Sequence, residues 1–240
     1  MFDLVLFERI FSNNQTKVST EQCLTDYYKK KGFNDFKSAE YAQSNIFNFV
    51  EFANNKILES KQNNISFLFT SVTENIVEVS SNFYQIKEIH RKLLEIDWRE
   101  FEFISSTILE YCFGAFDVKT SQASSDGGVD FDGKLPVYSI SSQDLYGTIE
   151  VYGQSKKYTG NVGINDIKAF VAFANSKKRN FIHPAQLFMF FTTSDFAKSS
   201  LDELADNGFI GLSGLQLSTL IYKHRQILKN KSDILKKIID

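Results

Sequence analysis

The sequence predicts an α/β protein with a mixed central sheet flanked by helices, preceded by a smaller α+β region. Three observations carry this reading. From Trp98 onward, apolar stripes with helical spacing alternate with short apolar runs, in the order α-β-β-β-α-β-α-β-α. The run Leu187-Phe188-Met189-Phe190-Phe191 is apolar throughout, the pattern of a strand buried on both faces. Finally, 240 residues at 42% apolar content suffice for one sizeable core or two modest ones.

The elements follow in order. Leu4-Val5-Leu6-Phe7 reads as a strand. Ser19 and Gln22 form a capping-box pattern ahead of Cys23, Leu24, Tyr27 and Tyr28, which places a helix start there. A second helix is expected from about Phe36 to Leu58. Strands are expected at Ile65–Phe69 and Asn75–Val79, with Thr70 to Glu74 as the turn. Phe83 to Ile96 has helical spacing through Ile86, Ile89, Leu93 and Leu94, and the domain boundary is set there, giving domains 1–95 and 96–240. Next come a helix from Trp98 that ends at Gly114, a short strand at Phe116–Val118 and a polar loop from Ser121 to Gly128. Strands open at Val129-Asp130-Phe131 and run from Gly147 to Lys156. Helices are expected at Ile164–Phe173, Phe196–Asp206 and Leu215–Leu228, with a short strand at Phe209–Leu212.

Composition narrows the function. A formal net charge of -2 and 24 Phe residues describe a folded chain without a general basic coat, so contact with nucleic acid requires a local patch. Cys23 and Cys112 lie far apart with no metal or redox spacing, as in a reduced cytosolic protein. Asp3 and Glu8 interrupt the N-terminal apolar run, and no stretch is long enough for a bilayer, so the expectation is a cytoplasmic protein without membrane contact. No nucleophile elbow, phosphate-binding loop, dinucleotide fingerprint or zinc spacing is present. His90, His183 and His224 suggest no other chemistry.

One constellation suits phosphodiester hydrolysis. That reaction needs a hard divalent cation, a positioned water, and a donor that stabilises the developing charge. Residues two apart on a strand share a face, so Gln154 and Lys156 point together, with Glu150 and Tyr152 in the same parity. A hairpin would bring the Asp130 carboxylate beside the Gln154 amide oxygen. The Ser155 carbonyl is then a third ligand, and the Lys156 ammonium holds the attacking water. Mg2+ keeps several waters, so one carboxylate and neutral oxygens can be the protein's share. Spacing alone does not select this triplet, because Asp35/Lys37, Gln85/Lys87, Asp117/Lys119, Asp132/Lys134 and Asp166/Lys168 repeat it.

Order and context do select it. Phe101-Glu102, Gly114, Ser125-Asp126-Gly127-Gly128-Val129-Asp130 and Gln154-Ser155-Lys156-Lys157-Tyr158 are followed by Val162-Gly163 and the helix at Ile164 to Phe173. Thr192-Thr193-Ser194-Asp195-Phe196 and Leu212-Ser213-Gly214-Leu215-Gln216-Leu217 complete the series. Between about Trp98 and Ile221 this resembles the catalytic domain of the Mrr-type restriction endonucleases, a branch of the PD-(D/E)XK nucleases in which Gln often replaces the acid before x-Lys. The resemblance implies a restriction-endonuclease-like fold and DNA as substrate, with Mg2+ or Mn2+ as cofactor. It implies Asp130 and Gln154 as metal ligands, Lys156 as the catalytic lysine, and Glu102 as a supporting carboxylate. It also implies a restriction or phage-defence role. Because each active site cuts one strand, double-strand cleavage calls for two copies, so a homodimer or a defence-system partner protein is expected. Two other readings stay open: an inactive nuclease-fold subunit of a larger complex, and a nuclease for RNA or branched DNA.

Secondary candidates complete the set. Glu150 adds charge to the site if Gly153 marks a bulge. Asp126 is read first as a turn initiator. Lys157, Asn165, Lys168, Thr193 and Ser194 are candidate nucleic-acid contacts, with capping as the alternative for Asn165 and for Ser194 or Asp195. Lys177, Lys178 and Arg179 extend the basic patch, and residues from Lys223 to Lys237 form a basic C-terminal segment. The 1–95 region is expected to select targets or dock partners, with a modified-base reader, a regulatory sensor and a dimerisation module all open.

Overall fold

The structure, a computed structural model, describes residues 2–11, 16–120, 128–138, 145–177 and 185–240. Asp126, Gly127, Lys178, Arg179, His183 and most of the Ser121–Gly128 loop lie outside the described residues. The chain divides into two compact units, Met1–Gln85 and Ile86–Asp240.

The first unit is built on aromatic packing. Helices α1 (Leu4–Ile10), α2 (Thr20–Lys30) and α3 (Asp35–Gln62) accompany an antiparallel three-stranded sheet of β1 (Lys17–Ser19), β3 (Ile76–Val79) and β2 (Phe69–Val72), in that spatial order. Phe7 stacks on Tyr27 at 4.4 Å and on Phe49 at 4.9 Å between ring centroids. Phe69 meets both Phe rings edge-on. The strand expected at Leu4–Phe7 is a helix. The Asp3 carboxylate accepts from the Val5 N–H at its N-terminus, and Phe7 and Phe11, four apart, are both buried. The strand expected at Ile65–Phe69 begins later, at Phe69, and runs to Val72, into the expected turn. Its turn is fixed by the Thr73 hydroxyl, which accepts from the N–H groups of Asn75 and Ile76. Ser19 caps α2 as its pattern indicated, accepting from Gln22 N.

The division between the units falls inside α4 (Phe83–Leu93). The second unit then runs α5 (Trp98–Phe113), β4 (Phe116–Thr120), β5 (Phe131–Tyr138), β6 (Leu145–Lys156), α6 (Ile164–Lys177), β7 (Gln186–Thr192), α7 (Lys198–Asp206), β8 (Ile210–Leu212) and α8 (Gly214–Lys223). This is the expected α-β-β-β-α-β-α-β-α order. The five strands lie in spatial order β4-β5-β6-β7-β8, antiparallel from β4 to β6 and parallel from β6 to β8. It is a mixed sheet flanked by helices.

The apolar run on β7 fills two cores at once. Met189 and Phe191 pack with Phe101, Ile104 and Ile108 of α5 and Leu217 and Ile221 of α8. Phe188 and Phe190 pack with Ile167, Phe170 and Ala174 of α6 and Leu204 of α7. Alternation along the strand sends neighbours to opposite faces, so a strand covered on both sides must be apolar at every position. Phe131 of β5 pairs with Gly153 of β6, and a Cβ on Gly153 would stand 2.0 Å from the Phe131 ring. Only glycine allows the ring to lie across the strand there.

Two features differ toward the C-terminus. The helix expected over Leu215–Leu228 breaks at His224, giving α8 and a short α9 (Arg225–Leu228). The basic tail folds as α10 (Asp233–Ile239), capped by Ser232, with Leu235 and Ile238 buried. It is therefore an amphipathic helix of this unit. Among the described residues no helix is long and apolar enough to cross a membrane.

Candidate active site

The site forms where β5 begins and β6 ends. Asp130 precedes β5, and its N–H donates to Gly153 O at 2.9 Å. Its carboxylate Oδ2 accepts from the Ser155 N–H at 2.6 Å. The acid is thus docked on the backbone between Gln154 and Lys156. Gln154 is buried at 7% exposure, and a Cβ on Gly128 would lie 3.3 Å from its Nε2, so its amide sits beside the turn that delivers Asp130.

Electrostatics bring in the remaining members. Glu102 projects from the first turns of α5, which is launched by an Asp97/Glu100 capping box. Burial pushes the Glu102 carboxyl up to about 7, and the negative charge of Asp130 adds to the rise. Lys156 and Arg99 oppose it. Burial also raises Asp130, against the Ser155 N–H and the Lys156 charge. Lys156 therefore acts on both carboxyls, and Asp130 acts on Glu102, so the site groups share one electrostatic neighbourhood. Arg99 is the member that sequence reasoning missed. Its signal was the i, i+3 spacing to Glu102 on one helix.

The site is poor in charge. Among the described residues no group of three or more His, Cys, Asp or Glu converges to hold a metal ion. Any cation here would lean on neutral oxygens, and the Gln154 amide and Ser155 carbonyl are such donors. The Ser155 hydroxyl is different: Oγ is buried and has no hydrogen-bond partner among the described residues.

The secondary candidates separate. Glu150 accepts from the Tyr152 hydroxyl at 3.0 Å, and the β5–β6 register runs unbroken through Gly153, so no bulge redirects Glu150. Thr193 is fully buried, and its hydroxyl is engaged twice with Tyr158, accepting from N at 3.1 Å and donating to O at 2.9 Å. That leaves it no surface for a phosphate. Ser194 hydrogen-bonds with Thr192 and the Asp195 carbonyl. It does not cap α7, whose N-cap is Ala197. Asn165 is the second residue of α6, inside the helix and not at its cap, and it is exposed with Lys168. Lys157 is half-buried at the exit of β6.

Comparison with known proteins gives a family. The family of Mrr catalytic domains, described as restriction endonucleases, matches residues 93–221. Among solved structures, MspJI restriction endonuclease in complex with a 27-mer oligonucleotide is 20% identical with a TM-score of 0.45, covering 67% of this chain and 36% of that one. The DNA modification-dependent restriction endonuclease AspBHI is 16% identical with a TM-score of 0.42, covering 57% and 34%. Restriction endonuclease FokI bound to DNA is 12% identical with a TM-score of 0.37, covering 98% and 46%. This chain thus spans less than half the length of each of these. No curated protein sequence matches it.

Proposed function

This chain belongs to the Mrr-type restriction endonuclease family, and from that premise we propose that it is a divalent-metal-dependent endonuclease acting on DNA. The observation that carries the reading is the docking of the Asp130 carboxylate on the Ser155 N–H, which ties one acid to the strand that carries Gln154 and Lys156.

The donor set fits a hard cation. Asp130, the Gln154 amide oxygen and the Ser155 carbonyl are all oxygen donors, the kind Mg2+ and Mn2+ take. Bound there, the ion would supply charge neutralisation at the phosphate. The chain's own residues do the rest. The Lys156 ammonium donates to the attacking water and stabilises the negative charge that grows on the phosphate oxygens. Glu102, with its raised carboxyl, is poised to hold or pass a proton within the same neighbourhood. Ser155 N–H fixes the Asp130 rotamer, so the acid needs no reorganisation on binding.

One such site cuts one strand. Cleavage of both strands calls for two copies, and we place this activity in a homodimer or a defence assembly. The first unit then serves target choice or partner docking. The test uses purified protein and plasmid DNA with Mg2+ or Mn2+, beside Asp130→Ala and Lys156→Ala. Nicking or linearisation by wild type alone is expected. Equal cleavage by all three proteins rejects the assignment.

A further inference from the structure

His90 matches no chemical motif in the sequence, yet the structure ties it to Thr193, the residue after β7 that bonds the end of β6. His90 lies on α4, and its Nε2 is 3.0 Å from the carbonyl oxygen of Thr193. A carbonyl only accepts, so Nε2 carries the hydrogen and donates. Thr193 in turn is engaged at every polar atom. Its N–H donates to Lys156 O at 3.3 Å, and its hydroxyl bridges the Tyr158 N–H and Tyr158 C=O. The residue is fully buried, so water offers no substitute partner. These bonds act where β6 ends and the chain carrying Lys156 leaves the sheet.

A second contact closes the arrangement from another side. Gly214, the first residue of α8, has its N–H on Ser194 O at 2.8 Å. A Cβ at this position would stand 2.0 Å from Thr193 O and 2.6 Å from His90 Nε2. The space around the His90–Thr193 bond therefore admits only glycine.

We propose that His90 is a positioning residue for DNA cleavage: by holding the Thr193 carbonyl it fixes the backbone that presents Lys156. The proposal rests on the catalytic reading of Lys156 given above. A misplacement of about 1 Å in a catalytic group lowers rate by on the order of a hundredfold, so the latch acts on turnover while leaving substrate binding alone. A glutamine at position 90 carries an amide N–H at similar reach and preserves the bond. Alanine abolishes it.

The experiment compares full-length wild type, His90→Ala, His90→Gln, Gly214→Ala and Lys156→Ala. It measures plasmid cleavage in Mg2+ and backbone hydrogen exchange by mass spectrometry. His90→Ala is expected to lower kcat at least tenfold with KM within about twofold, since only positioning is lost. His90→Gln should recover most of that loss. Gly214→Ala should lower kcat similarly and combine with His90→Ala less than additively, because both act on one bond. Amides of Thr193 and Tyr158 should exchange faster in His90→Ala while those of α5 stay unchanged.

Wild-type kcat in His90→Ala, with Lys156→Ala inactive, overturns the latch alone. So does unaltered exchange at Thr193 and Tyr158, or a loss that His90→Gln fails to repair. Lys156→Ala cutting at the wild-type rate overturns the catalytic reading and the proposal with it. Faster exchange in His90→Ala then marks that failure as one of chemistry and not of backbone geometry.

Discussion

The N–H of Ser155 donates to Oδ2 of Asp130 across 2.6 Å, so the acid of the site is held by the strand that carries the amide and the ammonium. Asparagine at 130 keeps an oxygen acceptor for this N–H and removes the charge. Asp130→Asn is therefore expected to fold as wild type and to lose cleavage by about a hundredfold or more, the scale of losing one preorganised electrostatic group. Circular dichroism melting and plasmid nicking check the two halves. Because burial raises the Asp130 carboxyl, its charge opposes folding, and the variant should melt no lower than wild type near neutral pH.

Glu102 gives a pH prediction. Its folded pKa of about 7 lies above the ordinary value of 4.5, so between these the folded chain keeps a proton the unfolded chain has lost. Stability from this group is full below the lower value and falls as pH rises through the upper one. Glutamine at 102 cannot ionise. In metal-free buffer Glu102→Gln should exceed wild type in denaturant midpoint at about pH 8 and match it at about pH 4. A difference that does not grow with pH contradicts the assignment.

Ser155 separates backbone from side chain. Its N–H holds Asp130, its carbonyl is the candidate ligand, and its hydroxyl is buried without a partner among the described residues. A buried unpaired hydroxyl costs roughly 1–3 kcal/mol. Ser155→Ala should therefore be as stable as wild type or more so, with cleavage unchanged. Destabilisation in thermal melts would show that the hydroxyl has a partner in solution.

Gly153 is the steric test. An added methyl meets the Phe131 ring at 2.0 Å, inside a core where neither strand can shift freely. Gly153→Ala is expected to cost roughly 1–3 kcal/mol, the range for overpacking. Chemical denaturation measures it, and a midpoint equal to wild type would mean the ring can turn aside.

Much of this was legible in the sequence, for physical reasons that differ by residue. Periodicity revealed α5 and β7 because deep burial forces an apolar residue wherever the element faces a core. Parity and the Gln154-Ser155-Lys156 order pointed to the β6 end of the site. Leu4–Phe7 misleads because four apolar residues in a row have no period, and the Asp3 cap and the later burial of Phe11 decide for helix. Thr193 reads from sequence as a nucleic-acid contact because a hydroxyl at the end of a strand looks the same whether it faces solvent or ties Tyr158. His90 gave no signal at all. Its partner is a backbone carbonyl 103 positions away, and carbonyls carry no sequence identity.

The strand bearing Gln154 and Lys156 is the middle one of five, with an antiparallel neighbour on one edge and a parallel neighbour on the other. Up to Gly153 neither margin of β6 can fray until the sheet itself opens, and at Ser155 the Asp130 carboxylate takes the place of a β5 backbone partner. Heat inactivation and melting of the second unit should accordingly share a single activation barrier, with no warm, folded, idle species between them.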